Sequence, residues 1–527
     1  MKNDMLQAEK KVPLGYTTYE DAKANFRWAE RWDVFDNPPE RLNIAYECVD
    51  RHPRKNVAIR LKFSDGSKET FTYGELSDLS SRFANLLERL GIGAGDRVAI
   101  ALHPSIELYV AFFGILKRGA VAVPCYPLLG PEGFRYRLDD SGSKLILIDK
   151  KSADNLPENG SWRVIRSDEL GNILATEPTT YTTNTSADTL AVVQYSSGTT
   201  GLPKQVLYNH STIGVAAVYT KFWLGLRDGD RYLCTSSTAW GHGIWYGIVG
   251  PSIFGNGIGA FSGKFDPEVL IQGLKEFEIT VMSAIPRVYV MLMNTGKFNP
   301  EEGLKLRRMT YTGAAIEKNC QEYLLKTFGF IASSTYGNTE VGPIAIDYAF
   351  DDYRPKIGAA GRATLGTKVA ALNDLAEVLP PGEVGELSVF RKDEWRSVGD
   401  TGFVDAEGYI TSHGRSDDVI KSSGFRIGPF EVETVLNMHP AVQDCAVIGS
   451  PDPERGETVK AFIVPNCDPI DALTKEIQEF VKAKLSMHEY PRKIEYVEEL
   501  PRTPDGKLKR KVLKEMEMAR IHNTSHG

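Results

Sequence analysis

The chain has 527 residues, of which 42% are hydrophobic and 25% charged, and its 62 Lys and Arg against 69 Asp and Glu give a formal net charge of −7. This composition is typical of a globular protein with a sizeable core. The acidic balance argues against a dedicated nucleic-acid-binding protein, which normally shows a basic excess or a basic stripe. At roughly 150 residues per unit, the length predicts about three or four structural units.

Cysteine spacing and the apolar stretches indicate the compartment. The six cysteines are scattered without a CxxC pair, which favours reduced, buried side chains over a zinc or redox site. The N-terminal segment lacks the apolar core of a signal peptide. The most apolar stretch, 109–130, is interrupted by Lys117 and Arg118 and falls short of the ~20 apolar residues that a spanning helix needs. We therefore expect a soluble, cytoplasmic protein with no membrane span.

Residues 1 to about 95 resemble an irregular leader followed by a helix, and strand-like and helix-like segments alternate from there to about residue 330. Apolar residues at helical spacing predict helices at 72–90, 106–116, 211–224, 267–277 and 318–328. Short apolar runs predict strands at 97–102, 120–124, 145–148, 191–194 and 279–283. Residues 155–188, rich in Thr, Asn, Ser, Gly and Pro, predict a surface loop with a short strand. The alternation is typical of α/β layers.

The pattern changes towards the C-terminus. After Gly382 the strands become short and turn-separated, which predicts a small β-rich subdomain. From Val419 onward, helices and strands alternate in a compact α+β unit. The predicted fold class is α/β: a large N-terminal domain, residues 1–416, of α/β layers plus the β-rich subdomain, and a mobile C-terminal α+β domain, residues 417–527.

The segment 195–206, YSSGTTGLPKQV, carries the most chemistry. Hydroxyl and glycine residues in such a loop can turn donors towards an anion, and a basic side chain follows, so it suits a polyphosphate. It is not a Walker loop, because Pro203 precedes the lysine. The alternative is a polar turn between a strand and the next helix. The candidate phosphate-binding residues of the loop are Ser196, Ser197, Gly198, Thr199, Thr200 and Lys204.

The loop SSGTTGLPK resembles the phosphate loop of the AMP-forming adenylating enzymes, the superfamily of acyl-CoA synthetases, luciferases and peptide-synthetase adenylation domains. Further motifs follow in that superfamily's order: TGAAIE at 312–317, TYGNTE at 335–340, GDTGF at 399–403, GRSDDVIKSSGFRIGPFEVE at 414–433 and PRTPDGKLKR at 501–510. Residues 43–52 and the wording DDVIKSSGFRIGP most resemble acetyl-CoA and medium-chain acyl-CoA synthetases. Gln205 departs from the pattern, since Gly usually follows the loop lysine there.

The resemblance implies two half-reactions: a carboxylate attacks the α-phosphate of ATP to give acyl-AMP and pyrophosphate, and coenzyme A then displaces AMP. It implies catalytic roles for Thr200 and Glu340, and Glu340 is also the implied Mg²⁺ ligand, because Mg²⁺ is a hard cation that binds carboxylates. The ribose contacts are implied for Asp400 and Arg415. Tyr336 is expected to stack on adenine. The remaining ATP- and AMP-binding residues implied are Gly313, Ala314, Ala315, Thr335, Gly337, Asn338, Thr339 and Arg426.

The C-terminal motifs imply a lysine, a hinge and a pantetheine passage. Lys507 resembles the lysine that bridges the attacking carboxylate and the α-phosphate, a catalytic task that suits a cation because two anions must approach. The hinge of the domain rotation falls on Asp417. Ser423 and Gly424 mark the passage of the CoA arm, where glycine leaves room for backbone contact.

The acyl pocket is implied at Trp240, His242, Thr312 and Gly337. Acetate-selective relatives carry Trp before the Gln-Thr-Glu that matches 338–340, and its indole closes the pocket. Gly337 therefore predicts space for a medium-chain, branched or aromatic acid larger than acetate. His242 is not needed as a base, because a carboxylate nucleophile is already ionised.

Three functions stay open at this point. The first is an AMP-forming acid:CoA ligase that uses ATP, Mg²⁺ and coenzyme A as co-substrates, without a tightly bound prosthetic group. The second is an adenylating enzyme that transfers the acyl group to a carrier protein. The third, a non-catalytic nucleotide- or acyl-binding protein, is disfavoured because Lys507, Glu340, Asp400 and Thr200 are all present. The sequence leaves the acid, a homo-oligomeric state and the pathway undetermined.

Overall fold

The computed structural model describes residues 13–196, 203–338, 341–418, 420–422, 425–453, 455–467, 471–485, 489–503 and 508–524. The elements of the first half of the chain are α1 (Tyr19–Asn25), β1 (Val57–Phe63), β2 (Lys68–Thr72), α2 (Tyr73–Arg89), β3 (Arg97–Ala101), α3 (Ile106–Arg118), β4 (Val121–Pro124), α4 (Pro131–Ser141), β5 (Leu145–Ile148), α5 (Lys150–Ala153), β6 (Arg163–Arg166), α6 (Ser167–Leu174), β7 (Leu190–Ser196), β8 (Lys204–Asn209) and α7 (Thr212–Tyr219).

The α/β part of the large domain extends to residue 363. Its further elements are β9 (Tyr232–Cys234), a π-helical segment (His242–Val249), α8 (Gly250–Ile253), β10 (Ile258–Ser262), α9 (Pro267–Glu276), β11 (Val281–Ala284), α10 (Pro286–Asn294), β12 (Arg308–Tyr311), α11 (Lys318–Phe328), β13 (Ser333–Asn338), β14 (Gly342–Ile346) and β15 (Arg362–Ala363).

Two mainly parallel sheets form the centre of this domain. One has the strand order β6-β5-β3-β4-β7-β8, parallel except for β8; the other runs β15-β14-β13-β12-β11-β9-β10-β1-β2, parallel in the middle and antiparallel at both ends. The strands β3, β4 and β5 are almost wholly buried, as expected for parallel strands covered on both faces. This confirms the predicted α/β class.

Local signals place the helices where the sequence predicts them. The Thr72 side chain accepts a hydrogen bond from the Glu75 amide while the Glu75 carboxylate accepts one from the Thr72 backbone amide, a capping box at the start of α2. Helix α3 ends at Gly119, whose φ of 73° closes the last turn in the left-handed region. None of the described helices combines the length and apolarity needed to cross a membrane.

Residues 155–188 differ from the expected loop and short strand. The strand is present as β6, but α6 follows it directly. Leu170 and Leu174, four residues apart, bury one face of this helix, and two acidic residues lie in its first turn. The polar composition of the whole segment conceals this short amphipathic pattern.

The two smaller units follow in sequence. The β-rich subdomain is an antiparallel sheet in the order β16 (Lys368–Leu372), β17 (Gly385–Arg391), β18 (Glu394–Val404) and β19 (Ile410–Arg415). The C-terminal elements are β20 (Ile420–Ser422), β21 (Phe425–Ile427), α12 (Pro429–Leu436), β22 (Val442–Asp452), β23 (Gly456–Pro465), α13 (Asp471–Lys484), β24 (Lys493–Tyr496) and α14 (Arg510–Thr524). Their sheet has the order β21-β20-β23-β22, with β24 parallel to β23. The C-terminal unit has its own apolar core, built around Ile420, Val432 and Ile477.

Candidate active site

The strands β7 and β8 precede and follow the candidate phosphate loop in the sequence. They pair antiparallel, with Ser196 opposite Lys204 and Tyr195 opposite Gln205. Ser196 and Lys204 are therefore neighbours in space, as a shared phosphate site requires. The candidate residues Ser197, Gly198, Thr199 and Thr200 lie outside the described residues. Because β7 is parallel to β4, the loop leaves the sheet at its carboxyl edge, where α/β proteins bind ligands.

A tyrosine and a carboxylate from two different sheets meet at the candidate nucleoside site. The Tyr336 hydroxyl on β13 donates to Asp400 Oδ2 at 2.6 Å, and the Ser412 hydroxyl reaches the same oxygen at 3.3 Å. On the other side, Arg415 Nη1 lies 3.9 Å from Asp400 Oδ1, and the two residues are register partners of β18 and β19. Burial, and then the Asp400 charge, raise the pKa of Tyr336. The phenol is therefore a neutral donor at physiological pH.

A second contact joins the TGAAIE and TYGNTE segments. The Thr312 hydroxyl donates to the Thr335 carbonyl oxygen at 3.0 Å. Gly313, which follows, has a φ of 95°, a left-handed conformation that favours glycine, and it is exposed together with Ala314 and Ala315. This places an open stretch of backbone beside β13, where the resemblance puts the purine.

Asn338 is the last residue of β13 and lies two residues before the candidate metal ligand in the sequence. Its side chain donates to the Val398 carbonyl oxygen at 3.1 Å and accepts from the Val341 amide at 2.9 Å. Thr339 and Glu340 lie outside the described residues. Among the residues that are described, no group of three or more His, Cys, Asp or Glu side chains could hold a metal ion. The Mg²⁺ assignment of Glu340 thus stays a prediction.

His242 lies in the region assigned to the acyl group. Its Nδ1 is 2.7 Å from the Ser236 hydroxyl and its Nε2 is 2.8 Å from the Ser283 hydroxyl, which in turn accepts from Thr310 at 2.7 Å. Burial alone lowers the pKa of His242 to about 3. The imidazole is therefore neutral at physiological pH, and a hydroxyl contacts each of its nitrogens.

Aromatic rings surround this histidine. Trp240 packs edge-to-face against it with ring centroids 5.4 Å apart, Trp223 lies at 5.8 Å and Tyr246 at 6.3 Å. Trp245, in contrast, is turned towards Tyr208, with centroids 5.2 Å apart. Trp240, Trp223 and Tyr246 together with His242 form a neutral, mostly apolar cluster, which we call the aromatic cluster.

The structure gives a different reason for glycine at position 337 from the one inferred from the sequence. A Cβ built on Gly337 would lie 2.1 Å from the Gly342 carbonyl oxygen of the paired strand β14. The register shifts here, because Tyr336 pairs with Ala345 and Gly337 with Pro343, which leaves Ile344 of β14 as the extra residue of a bulge. The missing side chain is thus required by the hairpin. A Gly337→Trp substitution would displace β14 rather than simply fill an acyl pocket, so it is not a clean test of chain length.

The C-terminal candidates are only partly described. Lys507, Ser423 and Gly424 lie outside the described residues, and Arg426 is placed by its backbone, opposite Lys421 in the pair β20–β21. The predicted hinge residue Asp417 lies in the 3₁₀ turn Ser416–Asp418.

Several residues of the site were not found from the sequence. Ser412 approaches Asp400 from β19, and Ser236, Ser283 and Thr310 form the polar chain at His242. Each lies in a separate strand or loop and carries an ordinary hydroxyl. Only the strand order of the sheets brings them to the site, so no local signal distinguishes them.

Comparison with known proteins agrees with this geometry. A family model described as AMP-binding enzyme matches residues 46–392, and one described as AMP-binding enzyme C-terminal domain matches residues 431–507. The chain is 33% identical to acetyl-coenzyme A synthetase of Bacillus subtilis over 95% of each chain, and 33% identical to acyl-coenzyme A synthetase ACSM3, mitochondrial, of Rattus norvegicus, covering 96% of this chain and 94% of that protein. The crystal structure of the anthranilate CoA ligase AuaEII in complex with anthranoyl-AMP superposes with a TM-score of 0.83 at 25% identity, covering 94% of this chain and 100% of that one. The chain therefore belongs to the AMP-binding enzyme family and is an AMP-forming acyl-CoA synthetase.

Proposed function

We propose that the enzyme activates a monocarboxylic acid larger than acetate, of medium-chain, branched or aromatic type. The observation that carries this proposal is the aromatic cluster around His242. Burial alone accounts for the lowered pKa of this imidazole, and its described contacts are all to uncharged side chains. Such surroundings favour an uncharged acyl group, because a buried ammonium would need a paired carboxylate. An amino-acid substrate would need an acidic side chain near Trp240 to bind its ammonium group. The residues that precede Trp240 are the uncharged Ser237, Thr238 and Ala239, which likewise disfavours an amino acid.

The reaction proceeds in two displacements. A carboxylate oxygen of the acid forms a bond to the α-phosphorus of ATP, and the bond to the departing pyrophosphate breaks. The thiol sulfur of coenzyme A then bonds to the acyl carbon, AMP leaves with the electron pair of the C–O bond, and the thiol proton is released. We assign no general base to the thiol step.

The residues divide between nucleotide and phosphate. Tyr336, Asp400 and Arg415 would hold the adenosine, supported by their contacts across β13, β18 and β19. Thr200 and Lys507 would bind the phosphates. Glu340, with phosphate oxygens, would hold Mg²⁺, which neutralises phosphate charge when bound. These roles rest on the motifs, since Thr200, Glu340 and Lys507 lie outside the described residues.

The domain boundary is proposed at Asp417. Support comes from Asp418, whose Oδ1 accepts from Lys514 Nζ at 2.8 Å and whose Oδ2 lies 3.9 Å from Arg510 Nη1. Both cations belong to α14, so Asp418 is tied to the C-terminal unit. A pivot would therefore lie before Asp418, and residues 1–416 and 417–527 would move relative to each other.

Pyrophosphate release across a panel of acids tests the substrate proposal. Each buried CH₂ contributes about 0.8 kcal/mol, or roughly fourfold, so three additional carbons favour a longer acid by about 50-fold in a dry pocket. We expect at least one straight, branched or aromatic C4–C8 acid to exceed acetate by about tenfold or more in kcat/KM. Preference for acetate over all of them would contradict the proposal.

Running the same panel with and without free coenzyme A separates the two acyl acceptors. An acyl-CoA ligase forms the thioester and turns over when coenzyme A is added. The alternative, transfer to a carrier protein, would show acid-dependent pyrophosphate release but no acyl-CoA product.

Asp400→Asn is expected to lower kcat/KM for ATP by about 30-fold. The carboxylate can accept a hydrogen bond from each of two ribose hydroxyls, whereas the amide has a single acceptor oxygen. Hydrogen bonds to charged groups contribute about 1.5–3 kcal/mol, which accounts for the size of the effect. The measurement is initial pyrophosphate release at varied ATP. Glu394→Gln is the matched control. It also replaces a carboxylate of β18 by an amide, but Glu394 is exposed and forms an ion pair with Arg396 at the surface. An equal effect of both substitutions would argue against the ribose role.

A further inference from the structure

Helix α4 contacts both ends of the connection that carries the candidate phosphate loop. We propose that Asp140, near the C-terminal end of this helix, is a positioning residue that sets the separation of the two loop ends and thereby the affinity for the triphosphate of ATP. The inference rests on the phosphate-loop role in the proposed function. It goes beyond it by naming a residue outside all the motifs of the sequence.

The entrance of the loop is held through Tyr195, the residue before Ser196. The Tyr195 hydroxyl donates to Asp140 Oδ2 at 2.8 Å and also lies 3.1 Å from the Arg137 carbonyl oxygen. The Arg137 guanidinium lies over the Tyr195 ring at 5.5 Å from the ring centroid. The ring is thus fixed on its face and at its hydroxyl by the last turn of α4.

The exit of the loop is held through Gln205. Its side-chain amide donates to Asp140 Oδ2 at 2.7 Å and to the Asp140 carbonyl oxygen at 2.8 Å. Tyr136 lies one turn earlier on α4, and its hydroxyl donates to the Pro203 carbonyl oxygen at 2.7 Å. Tyr136 and Asp140 are four residues apart and so lie on the same helix face.

One carboxylate oxygen therefore joins both strands. Tyr195 and Gln205 are cross-strand partners, and their side chains converge on Asp140 Oδ2. In the proposed function the triphosphate binds between the ends of β7 and β8, and a fixed arrangement of these two strand ends favours binding because fewer conformations have to be given up. Gln205, the residue at which the loop departs from the motif it resembles, supplies half of this clamp.

The carboxylate acts here as an acceptor, and its negative charge is not itself needed. An anion in this region opposes binding of a triphosphate rather than helping it. Asparagine keeps an acceptor oxygen in place without the charge, whereas alanine removes the acceptor. The pair Asp140→Asn and Asp140→Ala therefore separates positioning from electrostatics.

The test measures the dissociation constant of MgATP by calorimetry on the full chain, without acid. Asp140→Ala is expected to weaken MgATP binding by about tenfold, and Asp140→Asn to stay within about threefold of wild type. Asp139→Ala, an exposed neighbour on the same helix, is the control and should leave binding unchanged. Thioester formation from supplied acyl-AMP and coenzyme A, which involves no triphosphate, should be spared in Asp140→Ala.

Unchanged MgATP binding in Asp140→Ala would overturn the proposal, as would equal loss of both half-reactions. A larger loss in Asp140→Asn than in Asp140→Ala would also overturn it. If Asp140→Ala does not fold, the double variant Tyr195→Phe with Gln205→Leu removes both bonds to Asp140 Oδ2 and the bond from Gln205 to the Asp140 carbonyl oxygen, and it must show a loss of at least tenfold. Wild-type protein that binds no MgATP would refute the proposed function itself, whereas tight wild-type binding that Asp140→Ala leaves intact refutes only the clamp.

Discussion

Lys507→Ala is expected to slow acyl-AMP formation by about 10²–10³-fold and to leave thioester formation from supplied acyl-AMP within about threefold of wild type. The reason is electrostatic, because a cation is needed while the acid and the α-phosphate, both anions, converge. In the second displacement a neutral acyl carbon meets the thiol, and no such pair of anions forms. The two rates are measured separately, as acid-dependent pyrophosphate release and as AMP release from acyl-AMP on addition of coenzyme A.

The control for this substitution lies four residues further on. Lys511 is an exposed lysine of α14, with its Nζ 3.9 Å from Glu515, and Lys511→Ala makes the same change in charge. It should affect neither rate, since exposed ion pairs contribute little. Equal loss of both half-reactions in a folded Lys507→Ala protein would remove the idea that the two steps use different arrangements of the C-terminal unit.

Asp417→Pro is expected to have the opposite effect, with adenylation retained and thioester formation slowed by about 100-fold or more. Proline holds φ near −65°, which matches a 3₁₀ turn such as Ser416–Asp418, so the described arrangement should persist. A conformational step that requires a large change of φ would then fail.

The measurement compares single-turnover pyrophosphate release with single-turnover acyl-CoA formation. Asp417→Ala is the matched variant, because it removes the same carboxylate but leaves the backbone free, and both rates should stay near wild type. Circular dichroism and the melting temperature establish that the proline variant is folded. Thioester turnover at the wild-type rate in Asp417→Pro would show that the chain does not pivot at this residue.

Much of the architecture is encoded locally and is therefore predictable. The apolar spacing of α2 and α3, with the capping box at Thr72 and the left-handed Gly119 at the end of α3, specifies each helix from residues within a few positions. The α/β class follows from the alternation of such segments. The motif resemblance likewise rests on short runs of residues, which is why the amino-acid sequence is enough to indicate the family. The helix α6 escapes prediction because its two leucines are embedded in a polar segment.

Tertiary structure decides how separated groups meet. Asp400 reaches Tyr336, 64 residues away, only because the four-stranded sheet that contains β18 packs against β13 and β14. The polar chain at His242 depends on the parallel order of β9, β11 and β12. Gly337 shows the same limit, since the space beside it is closed by the Gly342 carbonyl oxygen of the paired strand β14 and not by its neighbours in sequence. Residue type and local spacing determine which elements form and which chemistry is available. The register of the sheets and the packing of helices on them determine which of those groups share a site, because these are long-range contacts that no sequence window contains.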